Sequence, residues 1–265
     1  MPEVLDQAQL IYPVKVGTRW AVASHQGRAG QRDLTFVAGD TDLGVAWSGD
    51  GAMVALVERL STRSSEVLGG VRLVSAEGVL IASDLLDGIG PQSAAWSPDG
   101  TMLAVAGAGG VALYDVPSLT LRGEHRDLPR HSVSTTAWDP TGTRFAVSAT
   151  NGNPEFFSES VTPVPTPTAL TGRGGITGIA WGATGDLALT TSASLLRITS
   201  QGGEVLEESP GFHRCPSWSA DGASLLFVVD GGADAVRIAD LGAGTESIAG
   251  SGAGHLVGCP SWRAR

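Results

Sequence analysis

Five histidines, two cysteines and one arginine-rich passage are the residues of this sequence with chemistry to offer beyond packing. His131 and His255 each stand seven residues before a tryptophan, Trp138 and Trp262, and His213 stands five before Trp218. Imidazoles at related positions of a repeat would gather at one end of it. There they could bind a divalent metal or act as hydrogen-bonding groups in loops. No carboxylate or cysteine pattern accompanies them, so neither a metal nor a cofactor is expected. The passage at 122–132 holds Arg122, Arg126 and Arg130 beside His125 and His131, the densest local charge cluster of the chain. As a loop leading from an outer strand to an inner one, it would suit an acidic partner or ligand. The expected binding surface is therefore Arg122, His125, Arg126, Arg130, His131, His213 and His255, with no catalytic residue assigned.

Cys215 and Cys259 both open the tetrapeptide Cys-Pro-Ser-Trp. Matching points on adjacent repeat units are expected to lie beyond the Cα separation of about 7 Å that a disulfide tolerates. Two buried free thiols are expected. A titration that found neither would point instead to an oxidising compartment.

Other catalytic signatures are missing. Lys15 is followed by Val16, not by the Ser or Thr of a phosphate loop. Gly107-Ala108-Gly109-Gly110-Val111-Ala112 satisfies G-x-G-x-x-A in form, but that fingerprint needs a helix after its glycines. Here the sequel is Val-Ala-Leu-Tyr-Asp-Val, a strand, so the glycines read as a turn. There is no G-x-S-x-G elbow and no H-E-x-x-H pair.

The elements that must position these groups are short and numerous. The chain has 265 residues, of which 42% are hydrophobic and 17% charged, enough to bury a sizeable core. Its 37 glycines and 14 prolines suit a chain that reverses every few residues. A net charge of −10 argues against a general grip on nucleic acid. No apolar run reaches the roughly 18 residues of a membrane-spanning helix. The first ten residues hold Glu3 and Asp6 and do not read as a secretory signal. The expected location is cytoplasmic if Met1 is the native start, and otherwise the cell envelope, as a domain of an exported protein.

Six passages resemble one another: VAWSGDG, AAWSPDG, TAWDPTG, IAWGATG, PSWSADG and PSWRAR. Their tryptophans, Trp47, Trp96, Trp138, Trp181, Trp218 and Trp262, are 37 to 49 residues apart. A period near 40–45 marks one four-stranded propeller blade per repeat. In each unit an inner strand ends at the tryptophan and a Pro-, Asp- and Gly-rich turn reverses the chain. Second strands are expected at 52–57, 101–106, 144–149, 187–191 and 224–229. Third strands follow at 71–75, 111–116, 195–199 and 236–240, and fourth strands at 79–83, 119–123, 204–207 and 246–249. Almost no helix is expected. Each indole should cover the neighbouring blade.

The fold class is thus all-β, a six-bladed β-propeller with seven blades as the alternative, and residues 1–265 form one domain. The last unit supplies one strand, so its blade must be closed by N-terminal strands, which removes an exposed sheet edge. Residues 17–23 read as its second strand, by likeness to 142–148, and 32–37 as its third. Residues 9–13 are either its fourth strand or the first of a seventh blade. Pro163, Pro165 and Pro167 alternate in a stiff strap before an edge strand at 168–171, an outer loop or a docking strip.

The Trp-Ser-Pro-Asp-Gly unit resembles the propeller repeat of the TolB family, also called WD-like or PD-type. Ser97-Pro98-Asp99-Gly100 matches fully, and Ser48-Gly49-Asp50-Gly51 and Ser219-Ala220-Asp221-Gly222 closely. Asp139-Pro140-Thr141-Gly142 and Gly182-Ala183-Thr184-Gly185 keep the Trp and the Gly but lose the Asp. Ala169-Leu170-Thr171 resembles the family's Leu-Thr edge. The resemblance covers nearly the whole chain. Members include periplasmic partners of envelope lipoproteins, the propeller domain of LpqB lipoproteins and the gating propellers of prolyl-oligopeptidase-type peptidases. It implies a protein-interaction role, often outside the cytoplasm, although fold alone does not dictate function. The expected activity is a non-enzymatic, monomeric scaffold that holds a protein partner across one face or at the channel mouth. It should bind no nucleic acid and insert into no membrane. The alternative is a small-molecule enzyme of the lactonase or lyase kind, whose channel would hold convergent His, Asp or Glu. A third reading is a domain severed from a larger exported protein.

Overall fold

The computed structural model describes residues 9–16, 19–26, 32–36, 43–61, 68–76, 79–128, 133–149, 153–170, 175–230, 235–250, 255–256 and 259–262. In chain order the strands begin with β1 (Gln9–Val16), β2 (Arg19–Gln26) and β3 (Arg32–Phe36). Blade one follows as β4 (Leu43–Trp47), β5 (Met53–Ser61), β6 (Leu68–Ser75) and β7 (Leu80–Asp87). Blade two is β8 (Gly90–Trp96), β9 (Met102–Ala108), β10 (Gly110–Asp115) and β11 (Thr120–His125). Blade three is β12 (Val133–Trp138), β13 (Arg144–Ala149), β14 (Glu155–Ser158) and β15 (Pro163–Val164). Blade four is β16 (Gly178–Trp181), β17 (Leu187–Thr190), β18 (Ser194–Thr199) and β19 (Gly202–Glu208). Blade five is β20 (Phe212–Trp218), β21 (Ser224–Asp230), β22 (Ala235–Asp240) and β23 (Gly244–Gly250). The chain ends with β24 (His255–Leu256) and β25 (Ser261–Trp262).

Among the described residues these strands make six antiparallel sheets. The inner strands touch in sequence around an axis, β4 to β8, β8 to β12, β12 to β16, β16 to β20, β20 to β25 and β25 back to β4. That is a closed ring of six blades. The sixth joins both ends of the chain: β24 and β25 pair with β1, β1 with β2, and β2 with β3. Both ends build the closing blade as expected, but one strand out of step. Residues 9–16 are its second strand and 19–26 its third. The likeness of 17–23 to 142–148 is a likeness of composition, and the strand β1, with Pro13 inside it and no turn motif before it, takes the second position, next to the inner strands β24 and β25.

The turns explain why the repeat folds as it does. Ser97 Oγ donates to Asp99 Oδ1 at 2.6 Å and accepts the Met102 amide at 2.9 Å. Gly100 sits at φ 71°, a region open to glycine at little cost. Ser48 with Asp50 and Ser219 with Asp221 repeat the arrangement, each at 2.6 Å. These hydroxyl donors hold the Asp50 and Asp99 carboxyls below their ordinary range. In blade three Asp139 does both jobs from the first turn position, accepting from the Thr143 amide at 3.1 Å and from Arg144 Nε at 3.1 Å.

The core lies between blades. Along β9, Leu103 and Val105 face blade one with Trp96 and Tyr114. Met102, Ala104 and Ala106 face blade three with Trp138, Phe145 and Phe157. This alternation is the period of a strand buried on both faces. The edge strand of blade three lies earlier than expected. It is Pro163–Val164, while 168–170 form a 3₁₀ turn. Proline has no amide hydrogen to leave unpaired, which suits it to an outer edge.

Candidate functional site

The inner strands converge on a cavity of about 520 Å³. All six blades line it, through β4, β8, β12, β16, β20 and the stretch from Cys259 to Trp262. Gly49, Pro98, Pro140, Ala183 and Ala220, from the turns after the tryptophans, also border it. The mouth thus lies on the turn-bearing face.

Two residue positions fasten one inner strand to the next. The first is the tryptophan itself. Trp96 Nε1 donates to the Ala46 carbonyl, Trp138 Nε1 to Ala95 and Trp262 Nε1 to Ser217, each at 3.1 Å. Each acceptor directly precedes the tryptophan of the previous blade. The second position is three residues before the tryptophan. There Ser93 Oγ accepts the Thr136 amide of the next blade at 2.9 Å, and Thr135 Oγ1 accepts the Ile179 amide at 3.0 Å. Backbones crowd at this point: a Cβ on Gly44 would stand 2.5 Å from the Gln92 carbonyl oxygen.

Cys215 and Cys259 occupy the same position in blades five and six, and they form a disulfide with Cα atoms 5.1 Å apart. The expected free thiols are not found. Equivalent residues on outer strands would be far apart, but near the axis the blades meet. A bulge between Arg214 and Ser217, with Cys215 at φ 59°, turns the side chain toward the next blade.

The described residues lining the cavity offer hydroxyls, amides, indoles and the disulfide sulfur of Cys259, and among them is no charged or imidazole side chain. Two buried polar atoms of this lining, Thr136 Oγ1 and Trp218 Nε1, meet no partner among the described residues. They are the points at which a ligand or water could gain a hydrogen bond without displacing one. Among the described residues no group of three His, Cys, Asp or Glu is gathered as a metal would require.

The residues singled out from the sequence separate into two places. Arg122, His125 and Arg126 lie on or just after β11, the outer strand of blade two, away from the channel lining. Arg122 pairs with Asp115 at 3.2 Å. Arg126 forks onto Glu124 at 2.7 and 2.8 Å and donates to the Asp87 carbonyl at 2.8 Å. The His125 ring rests 5.3 Å from that of Phe157. Arg130 and His131 lie outside the described residues. His213 and His255 are both on inner strands, β20 and β24.

His213 is fully buried and offers no contact surface, contrary to its expected surface role. Its ring stacks on Phe227 at 5.7 Å, its Nδ1 donates to the Gly211 carbonyl at 3.0 Å, and Nε2 lies 3.3 Å from Ser209 Oγ. Burial lowers its pKa below the ordinary 6.5. A depressed folded value means that stability is full above the unfolded value and is lost as pH falls through the folded one. His213→Gln should therefore flatten the fall in Tm on acidification from pH 7 to 5, a comparison made by thermal melts of both proteins. Parallel melting curves would contradict the buried neutral imidazole.

The motifs that were missed in the sequence are the channel groups. A serine or threonine three residues before a tryptophan is an ordinary strand residue until its neighbour on the next blade is known.

The ring geometry has clear counterparts. TolB from Acinetobacter baumannii superposes with a TM-score of 0.71 over 98% of this chain and 68% of that one, at 16% identity. The chain folds as a TolB-like β-propeller. A periplasmic gluconolactonase of Pseudomonas aeruginosa, PpgL, is similar over 92% of this chain and 82% of that one, with a TM-score of 0.60 and 16% identity. The Cps50 (Swd1) β-propeller domain of Myceliophteria thermophila is similar over 85% and 68%, with a TM-score of 0.55 and 18% identity. No protein-family profile matches the propeller's sequence. No curated protein sequence matches it either. Likeness at this level of identity speaks for the architecture, and function must be argued from the site.

Proposed function

We propose that this propeller is a non-catalytic scaffold that holds a protein partner across its turn-bearing face, with a segment of the partner seated at the channel mouth. The observation that carries this reading is that the described residues lining the cavity, contributed by all six blades, include no charged side chain. Hydroxyl, amide and indole groups in a pre-formed concavity suit an extended neutral segment and supply no acid or base. The propeller is read as one domain that works outside the cytoplasm, and its disulfide supports an oxidising setting. A small-molecule enzyme is the second reading. The cavity volume and the fold likeness to a gluconolactonase favour it.

The test is capture of a partner from the source organism's envelope fraction by immobilised propeller. Ala183 and Ala220 are exposed at the mouth. Ala183→Arg with Ala220→Arg should abolish capture, whereas Arg126→Ala on the outer edge should leave it intact. Loss of capture only on removing Arg122, Arg126 and Arg130 would move the site to that edge. Turnover of lactones by the wild type, with no protein captured, would favour the enzyme.

A further inference from the structure

The disulfide is not symmetric in its surroundings. Cys215 is only 2% exposed. Cys259 is partly exposed and belongs to the cavity wall. Arg214 Nη1 donates to Cys215 Sγ at 3.4 Å. The same guanidinium is aimed by Asp230, which accepts from Nε at 2.6 Å and from Nη2 at 3.1 Å. Directly after Cys259 and Pro260 comes β25, whose pairs Leu10 with Trp262 and Ile11 with Ser261 close the ring. Ser261 Oγ also accepts the Trp47 amide of blade one at 3.0 Å.

We propose that Cys215–Cys259 is a thiol–disulfide exchange site, entered from the channel at Cys259 by a small dithiol and coupled to closure of the ring. A thiolate of the dithiol attacks Cys259 Sγ. The Cys215–Cys259 bond breaks and its electron pair leaves on Cys215 Sγ, while a new S–S bond joins the reagent to Cys259. The second thiolate of the reagent then attacks its own bridged sulfur. This closes the reagent's disulfide and releases Cys259 as a thiolate, which takes up a proton from water. The dithiol loses two electrons and the cystine gains them. A neighbouring guanidinium lowers the pKa of the departing thiol, and a leaving thiol of lower pKa leaves faster. Direction is thus set twice, by access at Cys259 and by charge at Cys215. Once the bond opens, β25 loses its covalent tie to β20 and keeps only its short ladder on β1 and the hydrogen bonds of Ser261 to Trp47 and of Trp262 to Ser217.

The full-length oxidised protein is exposed briefly to 2-mercaptoethanol, quenched in acid, alkylated and mapped by peptide mass. The mixed disulfide should fall on Cys259 over Cys215 by about tenfold. Equal labelling, or a preference for Cys215, would overturn the proposal. Reduction by dithiothreitol should be slower by about tenfold in Arg214→Gln, with Arg214→Lys between it and wild type. Equal rates in all three would remove the role of the guanidinium. If Arg214→Gln does not fold, the wild-type labelling and Arg214→Lys still decide. Amide exchange in β1 should speed up by about tenfold on reduction. Unchanged protection of β1 would show that the bond and the closure are uncoupled.

Discussion

Replacing Trp138 with alanine is expected to destabilise the propeller by about 3–5 kcal/mol. The ring is 6% exposed and packs with Met102 and Ala104 of blade two and with Phe145 of its own blade, whose ring centroid is 5.1 Å away. Removing it opens a cavity in a sheet-to-sheet core with little freedom to collapse. It also deprives the Ala95 carbonyl of its donor. Trp138→Phe separates the two effects, since it keeps most of the volume and loses the N–H, at about 1 kcal/mol for the hydrogen bond. Trp181 is a useful contrast. It is only partly buried, with the Arg144 guanidinium 5.9 Å from its ring centre. Trp181→Ala should cost less than Trp138→Ala. Urea unfolding of the three variants checks the order, and equal costs for Trp138→Ala and Trp181→Ala would contradict the packing described.

Loss of the disulfide should cost about as much. Cys215 and Cys259 are 44 residues apart, and closing a loop of that length restricts the unfolded chain by about 4 kcal/mol. Cys215→Ser with Cys259→Ser should lower the unfolding free energy by that order under oxidising conditions. Under reducing conditions wild type and double variant should converge. The starting observation is simple: thiol titration of denatured, unreduced protein should find none. Two titratable thiols per chain would refute the bond, and with it the exchange chemistry.

The sequence announces the ring because the repeat is a turn with one chemical solution. Ser97, Asp99 and Gly100 each satisfy a defined backbone need, so their recurrence locates inner and second strands closely. At Arg144–Ala149 the expected and observed second strand coincide. Where the turn motif is missing, the reading slips. Strand β1 is preceded by no such turn, so the sequence pattern points to 17–23 for the place in the closing blade that β1 holds. The channel groups are harder still. Ser93, Thr135, Cys215 and Cys259 share one offset from tryptophan, but what they touch lies 43 or 44 residues away on the adjacent blade. The pairing of the cysteines also depends on a bulge and a positive φ at Cys215, which no local residue preference dictates. The arginines of β11 look like a binding patch in one dimension because Asp115 and Asp87, which engage Arg122 and Arg126, belong to other strands.

The closing blade sets an order on biosynthesis. Its three strands from the start of the chain, β1, β2 and β3, leave the ribosome before any other blade. The strand that must cap β1 is translated after the strands of all five other blades. Until β25 is made the nascent chain therefore presents an unfilled strand edge, of the kind that invites pairing with another molecule. A propeller joined in this way calls for a chaperone, or for fast docking of blades one to five, during the interval before residue 262 emerges.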